Sequence, residues 1–248
     1  MSLLIEACVD SVASALAAQD GGARRIELCD ALETGGITPS AGKIALCRER
    51  LTIPIVVLIR SRGGDFLYRD SDLDVMLRDI ATAKALGAAG VAIGALNADG
   101  TIDEAKTRAM IGVARPMEVV FHRAFDGTPD PFKALETLVA LGVDRVLTSG
   151  QHNTALEGVD ILRHLVEAAK GRITILAGGG INEENAAPIV KGSGVEQLHI
   201  RGTTAVVSEM TYKRKGFDLT KPPMPDNLRA VTDARKVKAV VEAVGRSA

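Results

Sequence analysis

The chain has 248 residues, 46% of them hydrophobic and 25% charged, the balance of a folded protein with one large domain or two small ones. Thirty Lys plus Arg stand against 31 Asp plus Glu, and there is no Trp, which argues against a broad nucleic-acid or anionic-membrane surface and against base-stacking platforms. Cys8, Cys29 and Cys47 are too few for a disulfide scaffold, no apolar run approaches the ~20 residues of a membrane span, and residues 1–6 lack the pattern of a signal peptide, so the expectation is a cytoplasmic protein with reduced thiols.

Short apolar runs predict strands near residues 3–8, 25–29, 53–60, 90–94, 117–122, 145–148, 172–177 and 195–200. Segments of helical period lie between them, near 10–20, 39–50, 71–86, 103–114, 131–141, 158–170 and 182–191, with a last one near 228–244. Strands that alternate with helices imply a parallel sheet, and eight such units in ~250 residues match a TIM (β/α)8 barrel, an α/β fold of one domain over 1–248. Glycines recur where helix gives way to strand, at Gly21-Gly22, Gly87, Gly142 and Gly192-Ser193-Gly194, as a left-handed helix end requires. An open doubly wound sheet is second choice, because no Gly-x-Gly-x-x-Gly follows the first strand. Residues 203–227 interrupt the repeat and carry Pro222, Pro223 and Pro225, which predicts a long irregular loop before the last helix.

Active sites of such barrels gather at the C-terminal strand ends. Strand one ends in Glu6-Ala7-Cys8 and strand two in Glu27-Leu28-Cys29. Residues two apart share a face, so both Glu-x-Cys pairs point into the barrel on neighbouring strands about 4.8 Å apart. Two thiolates so placed could bind a soft ion such as Cu(I) or oxidise to a disulfide, and each also reads as a small buried apolar residue. Buried Glu needs a partner, which means ion pairs to inward arginines or acid–base work for Glu6 and Glu27. Arg60 either neutralises one of them or, with Arg62 and Gly63-Gly64, holds an anion. His122 is a general base, a metal ligand or a structural residue, with Asp126 expected to orient it. In an enzyme, Glu6, Glu27, His122 and Asp126 would be catalytic.

Arg123, Ser149, the Gly178-Gly179-Gly180 run after strand seven, and His199 and Arg201 at strand eight complete a predicted anion pocket with Arg60 and Arg62. The histidines show no local metal-binding spacing, and no nucleophile elbow or P-loop is present, so no nucleotide cofactor is expected.

Several stretches resemble the CutC family, named for copper homeostasis: Gly35-Gly36-Ile37-Thr38-Pro39-Ser40, Arg62-Gly63-Gly64-Asp65-Phe66, His122-Arg123-Ala124-Phe125-Asp126, Leu147-Thr148-Ser149-Gly150, Ala177-Gly178-Gly179-Gly180 and the Glu27-Leu28-Cys29 end. The resemblance runs to about residue 220. It implies a TIM barrel, a cytoplasmic place, copper handling, and Cys8 and Cys29 as Cu(I) ligands. Ser61 stands where the family usually has Pro, and Arg201 where it favours small residues. Two main readings follow. One is a Cu(I)-handling protein. The other is a barrel enzyme, an isomerase, lyase or hydrolase, acting on a small anionic metabolite, phosphorylated or not. A non-catalytic oligomeric scaffold is a third. No strand end carries a Lys, which disfavours Schiff-base aldolase chemistry. A homodimer or higher homo-oligomer is expected only because such assemblies are common.

Overall fold

The computed structural model describes residues 3–212, 214 and 228–245. Eight short strands wind in chain order into a closed parallel barrel. They are β1 (Leu4–Val9), β2 (Arg25–Leu28), β3 (Ile55–Leu58), β4 (Gly90–Ile93), β5 (Glu118–Phe121), β6 (Arg145–Thr148), β7 (Thr174–Gly178) and β8 (Gln197–Ile200). The helices between them are α1 (Val12–Asp20), α2 (Ala41–Arg50), α3 (Asp70–Ala85), α4 (Glu104–Ala114), α5 (Pro131–Leu141), α6 (Val159–Ala169) and α7 (Ala186–Ser193). The chain is thus the single-domain TIM barrel that the alternating pattern predicts.

Local chemistry starts and stops the helices where the sequence suggests. Ser11 and Ser40 accept hydrogen bonds from the backbone N–H groups of Ser14 and Lys43, at 3.1 and 3.2 Å, and cap α1 and α2. Asp103 caps α4, and Asp130 caps α5 with Pro131 at its first position. Gly142 and Gly194 end α5 and α7 with φ of 76° and 74°, a conformation that a Cβ would penalise. α7 begins four residues later than the periodicity suggests, because the Asn182 side chain accepts from the N–H groups of Glu184 and Asn185 and holds a turn there.

Both faces of the strands are buried, but against different partners. One face, with Ile5, Ala7, Ile26, Leu28, Val57, Val91, Val119 and Phe121, packs under the helices. The other fills the barrel interior with Cys8, Cys29, Val56, Leu58, Ala92, Val120, Leu147 and Leu176. β1 lies between β2 and β8, and the register sets Glu6 opposite both Arg25 and His199. That register matters for the site, since it brings the charged interior residues of three strands to one level.

The sequence expectation fails between β8 and the last helix. Thr203–Val207 form β9 and Leu228–Thr232 form β10, an antiparallel pair outside the barrel. Thr203, Thr204, Val206 and Val207 face a run that ends in Val231-Thr232, and such β-branched residues suit strands. The last helix, α8 (Ala234–Gly245), therefore begins after β10 rather than near 228. The hairpin is tied to the barrel by the Thr232 N–H, which donates to Ser14 Oγ at 3.2 Å. Residues 208–212 have no regular structure, and most of the rest of the predicted loop lies outside the described residues. Among the described residues no helix is long and apolar enough to cross a membrane.

Candidate functional site

The C-terminal strand ends enclose a cavity of about 450 Å³. Its floor is Cys8, Glu27, Cys29 and His199, its walls include Leu58, Phe66 and Leu147, and Arg60, His122, Arg123, Gly179, Gly180 and Arg201 also line it. The period-two reading of the Glu-x-Cys ends therefore places both cysteines in the interior. Cys8 Sγ and Cys29 Sγ are 3.7 Å apart, and all three cysteines are free thiols. Cys29 Sγ donates toward Glu27 Oε2 at 3.5 Å. One ligand atom from each of Cys8, Glu27 and Cys29 lies within 4.8 Å of the others. Cys47 is buried on α2, apart from this group.

Glu6 is not part of the cavity lining. It accepts from Arg25 Nε and lies 2.8 Å by Oε1 from His199 Nδ1. Arg25 also donates to Gln197 Oε1 at 2.7 Å. Glu6 thus makes the ion pair that a buried carboxylate needs, and its cation is Arg25 rather than Arg60. Arg25 is the residue that sequence reasoning missed. It stands two positions before Glu27, and the same alternation that placed Glu27 inward places Arg25 inward.

Arg60 reaches neither carboxylate. It donates to the carbonyls of Thr34, Gly36 and Gly64 at 3.2, 2.8 and 2.6 Å, and so pins the loops after β2 and β3. Arg62 lies outside the cavity lining, donating to Asp65 and to the Leu67 carbonyl and stacking over Tyr68. Asp126 does not orient His122. Its carboxylate accepts from Thr148 Oγ1, from the N–H groups of Ser149 and Gln151, and from Arg123 Nε at 2.7 Å. It organises the turn after β6, with Ser149 beside it and outside the lining. Gly178 also stands behind the lining, where an added Cβ would fall 2.6 Å from Leu147 Cδ1 and 3.1 Å from His199 Cβ. Its lack of a side chain makes room for His199.

His122 is buried and sits 5.1 Å from the Phe66 ring. Its Nδ1 accepts from the Ala124 N–H at 3.1 Å. Its Nε2 is buried without a hydrogen-bond partner among the described residues, as is Arg60 Nε. Gly94 makes space for the ring, since an added Cβ would lie 2.4 Å from His122 Cε1. Gly94→Ala is therefore expected to lower stability by about 1–3 kcal/mol, an overpacking cost, measured by urea unfolding. A loss under about 0.5 kcal/mol would mean that the ring moves freely.

Burial and neighbours separate the acidities of the floor. Burial alone would raise Glu6, but the His199 bond and the Arg25 charge overcome it and bring it to about 2. Burial, then the Cys8 charge, push Glu27 up to about 8. The hydrogen bond from Cys29, against burial and helped by His199 and Arg201, holds Cys8 well below the ordinary thiol range. Its counterpart raises Cys29. Burial would lower His199, yet its bonds to Cys8 and Glu6 and the charge of Glu27 raise it well above 6.5. Burial, with the Arg60 charge, takes His122 down to about 3.

Glu27 is thus a carboxyl whose folded acidity is weakened. Its contribution to stability is full below pH 4.5 and is lost as pH rises through about 8. The expected result is a wild-type unfolding midpoint that falls between pH 5 and 9, and a smaller fall for Glu27→Gln. Identical pH profiles for the two proteins would show that Glu27 titrates normally.

The sequence profile of the CutC family matches residues 3–204. The chain belongs to the CutC family. It is 44% identical over 238 residues to the human protein called "Copper homeostasis protein cutC homolog", covering 96% of this chain and 87% of that one. It is 42% identical over 247 residues to a CutC family protein of Chromobacterium violaceum, covering all of both. The crystal structure of a CutC protein from Streptococcus agalactiae superposes with a TM-score of 0.77 at 36% identity, over 80% of this chain and 98% of that one. The CutC match spans every barrel strand and every residue of the cavity floor.

Proposed function

We propose that this protein handles copper in the cytoplasm, with Cys8 and Cys29 gripping Cu(I) as cargo. The observation that carries this reading is the pair of free cysteine sulfurs 3.7 Å apart on the cavity floor. The separation is well beyond the ~2.05 Å of a disulfide and lets one ion touch both sulfurs. Soft sulfur donors favour Cu(I) over the hard cations that carboxylates select. The lowered acidity threshold of Cys8 supplies a thiolate, the form that binds metal. Glu27 is the third group in reach, but a carboxyl held up to about 8 is a weak donor at neutral pH.

The family relation supports the reading, since the human relative is named for copper homeostasis. Both sulfurs come from one barrel, so the grip needs only one chain. It also needs reduced thiols, which the cytoplasm maintains. The test is an anaerobic Cu(I) titration against a colorimetric chelator. Wild type is expected to withdraw one copper per chain and the Cys8→Ser/Cys29→Ser double variant none. Equal, weak competition by both would end the copper reading.

A further inference from the structure

We propose that the upper part of the same cavity is a second ligand site, one that binds the oxyanion of a small organic acid or phosphate ester through Arg60, His122 and Arg201. This goes beyond the copper reading and does not depend on it.

The first observation is charge without compensation. Arg60 lines the cavity and is buried, and among the described residues no carboxylate pairs with it; its partners are three backbone carbonyls. Arg201 also lines the cavity, and among the described residues its guanidinium donates only to the Leu32 carbonyl at 2.9 Å. Arg123 stands beside them but is paired with Asp126. Behind the floor, Glu6 is matched by Arg25 and His199. Two guanidinium groups thus face one cavity with no ion pair to a carboxylate among the described residues, since Glu27, the acidic side chain in the lining, lies 3.7 Å from His199 instead.

The second observation is unused donors. The Ala124 N–H donates to His122 Nδ1, so a neutral ring carries its hydrogen on Nε2, where it is a donor. Among the described residues nothing accepts from that buried donor, nor from Arg60 Nε–H. Buried donors without acceptors are rare and costly, and a ligand acceptor would relieve both. Phe66 binds the two residues into one unit, with its ring 5.2 Å from Arg60 Cζ and 5.1 Å from the His122 ring.

The third observation is volume. About 450 Å³ is the size of a small-molecule pocket and far more than one metal ion occupies. Leu32, Leu58, Leu147 and Ile181 line it beside the cations, so it suits an anion with a short carbon body. Arg60 and His122 have no task in gripping Cu(I).

The test is calorimetric titration of the copper-free protein with two probes, glycerol 3-phosphate and L-malate, at constant ionic strength. At least one probe is expected to saturate, and which one tells phosphate ester from carboxylate. Arg201→Ala removes an exposed side chain. His122→Asn keeps an acceptor near the Nδ1 position and lacks the Nε2 donor. Each is expected to weaken binding about tenfold or more, as loss of a charge-assisted or buried hydrogen bond does. His122→Gln, which restores a donor near Nε2, should recover part of it. The Cys8→Ser/Cys29→Ser double variant should bind the anion as wild type does, although it loses copper. Failure of both probes to saturate by about 10 mM, far weaker than a specific site would show, would overturn the proposal. So would unchanged binding in Arg201→Ala and His122→Asn, or loss of anion binding in the cysteine variant.

Discussion

Arg25→Met is expected to destabilise the protein by about 3–5 kcal/mol, the cost of leaving one member of a buried ion pair behind. The Arg25 and Glu6 side chains are only 5% and 2% exposed, so neither charge has water to fall back on. Glu6 would keep His199, and Gln197 would lose the Arg25 donor that holds its amide oxygen. The double variant Arg25→Met/Glu6→Gln should lose less than the sum of the two single changes, because it removes both charges together. The acid limb gives a second readout. A carboxylate brought from 4.5 to about 2 contributes stability that is present above pH 4.5 and disappears as pH falls toward 2. Without Arg25 that loss should be smaller and should end at higher pH. Urea unfolding at pH 7 and pH 3.5 measures both. A loss below about 1 kcal/mol at pH 7, the level of an exposed pair, would show that the pair is solvated.

Cys8→Ser and Cys29→Ser are each expected to weaken Cu(I) binding by at least about a hundredfold, the upper end of what losing an outer-shell partner costs, since here a ligand itself is lost. A hydroxyl is nearly the same size as a thiol but is a hard donor, so it fills the space without gripping a soft ion. The two positions differ in how they fail. Cys8 carries the lowered acidity and supplies the resident thiolate, and Cys29 supplies its hydrogen bond. Cys29→Ser should therefore also raise the acidity threshold of Cys8, which the pH dependence of its alkylation reads. Cys47→Ser should leave copper binding unchanged, because Cys47 is buried on α2 in the layer between helices and barrel. Competition against a Cu(I) chelator measures all three variants. A loss confined to Cys47→Ser would refute the assignment.

The barrel was legible because its signals are local and repeat. Apolar runs, serine and aspartate caps and the closing glycines recur around the ring. Inward placement of Cys8, Glu27 and Cys29 was equally legible, since alternation along a strand decides it. What alternation does not decide is which inward charge meets which. Glu6 meets Arg25 and His199 through the register of β1 with β2 and β8, a property of pairing across 19 residues of chain for Arg25 and 193 for His199. Arg60 looked like the natural partner from its strand-end position, yet the loops after β2 and β3 present carbonyls that take it instead. Asp126 lies four residues from His122 in sequence, but the turn between them directs it to Thr148 and Ser149. The β9–β10 pair was hidden for a different reason. Its two halves lie on either side of a Pro-rich stretch, and each alone is too short to outweigh its surroundings.

The proposed copper grip puts one ion between Cys8 and Cys29. X-ray absorption at the copper K-edge of anaerobically loaded protein tests it most directly. A Cu(I) edge with two sulfur scatterers is expected in wild type, and one sulfur in either single serine variant. A first shell of nitrogen and oxygen alone in wild type would contradict it.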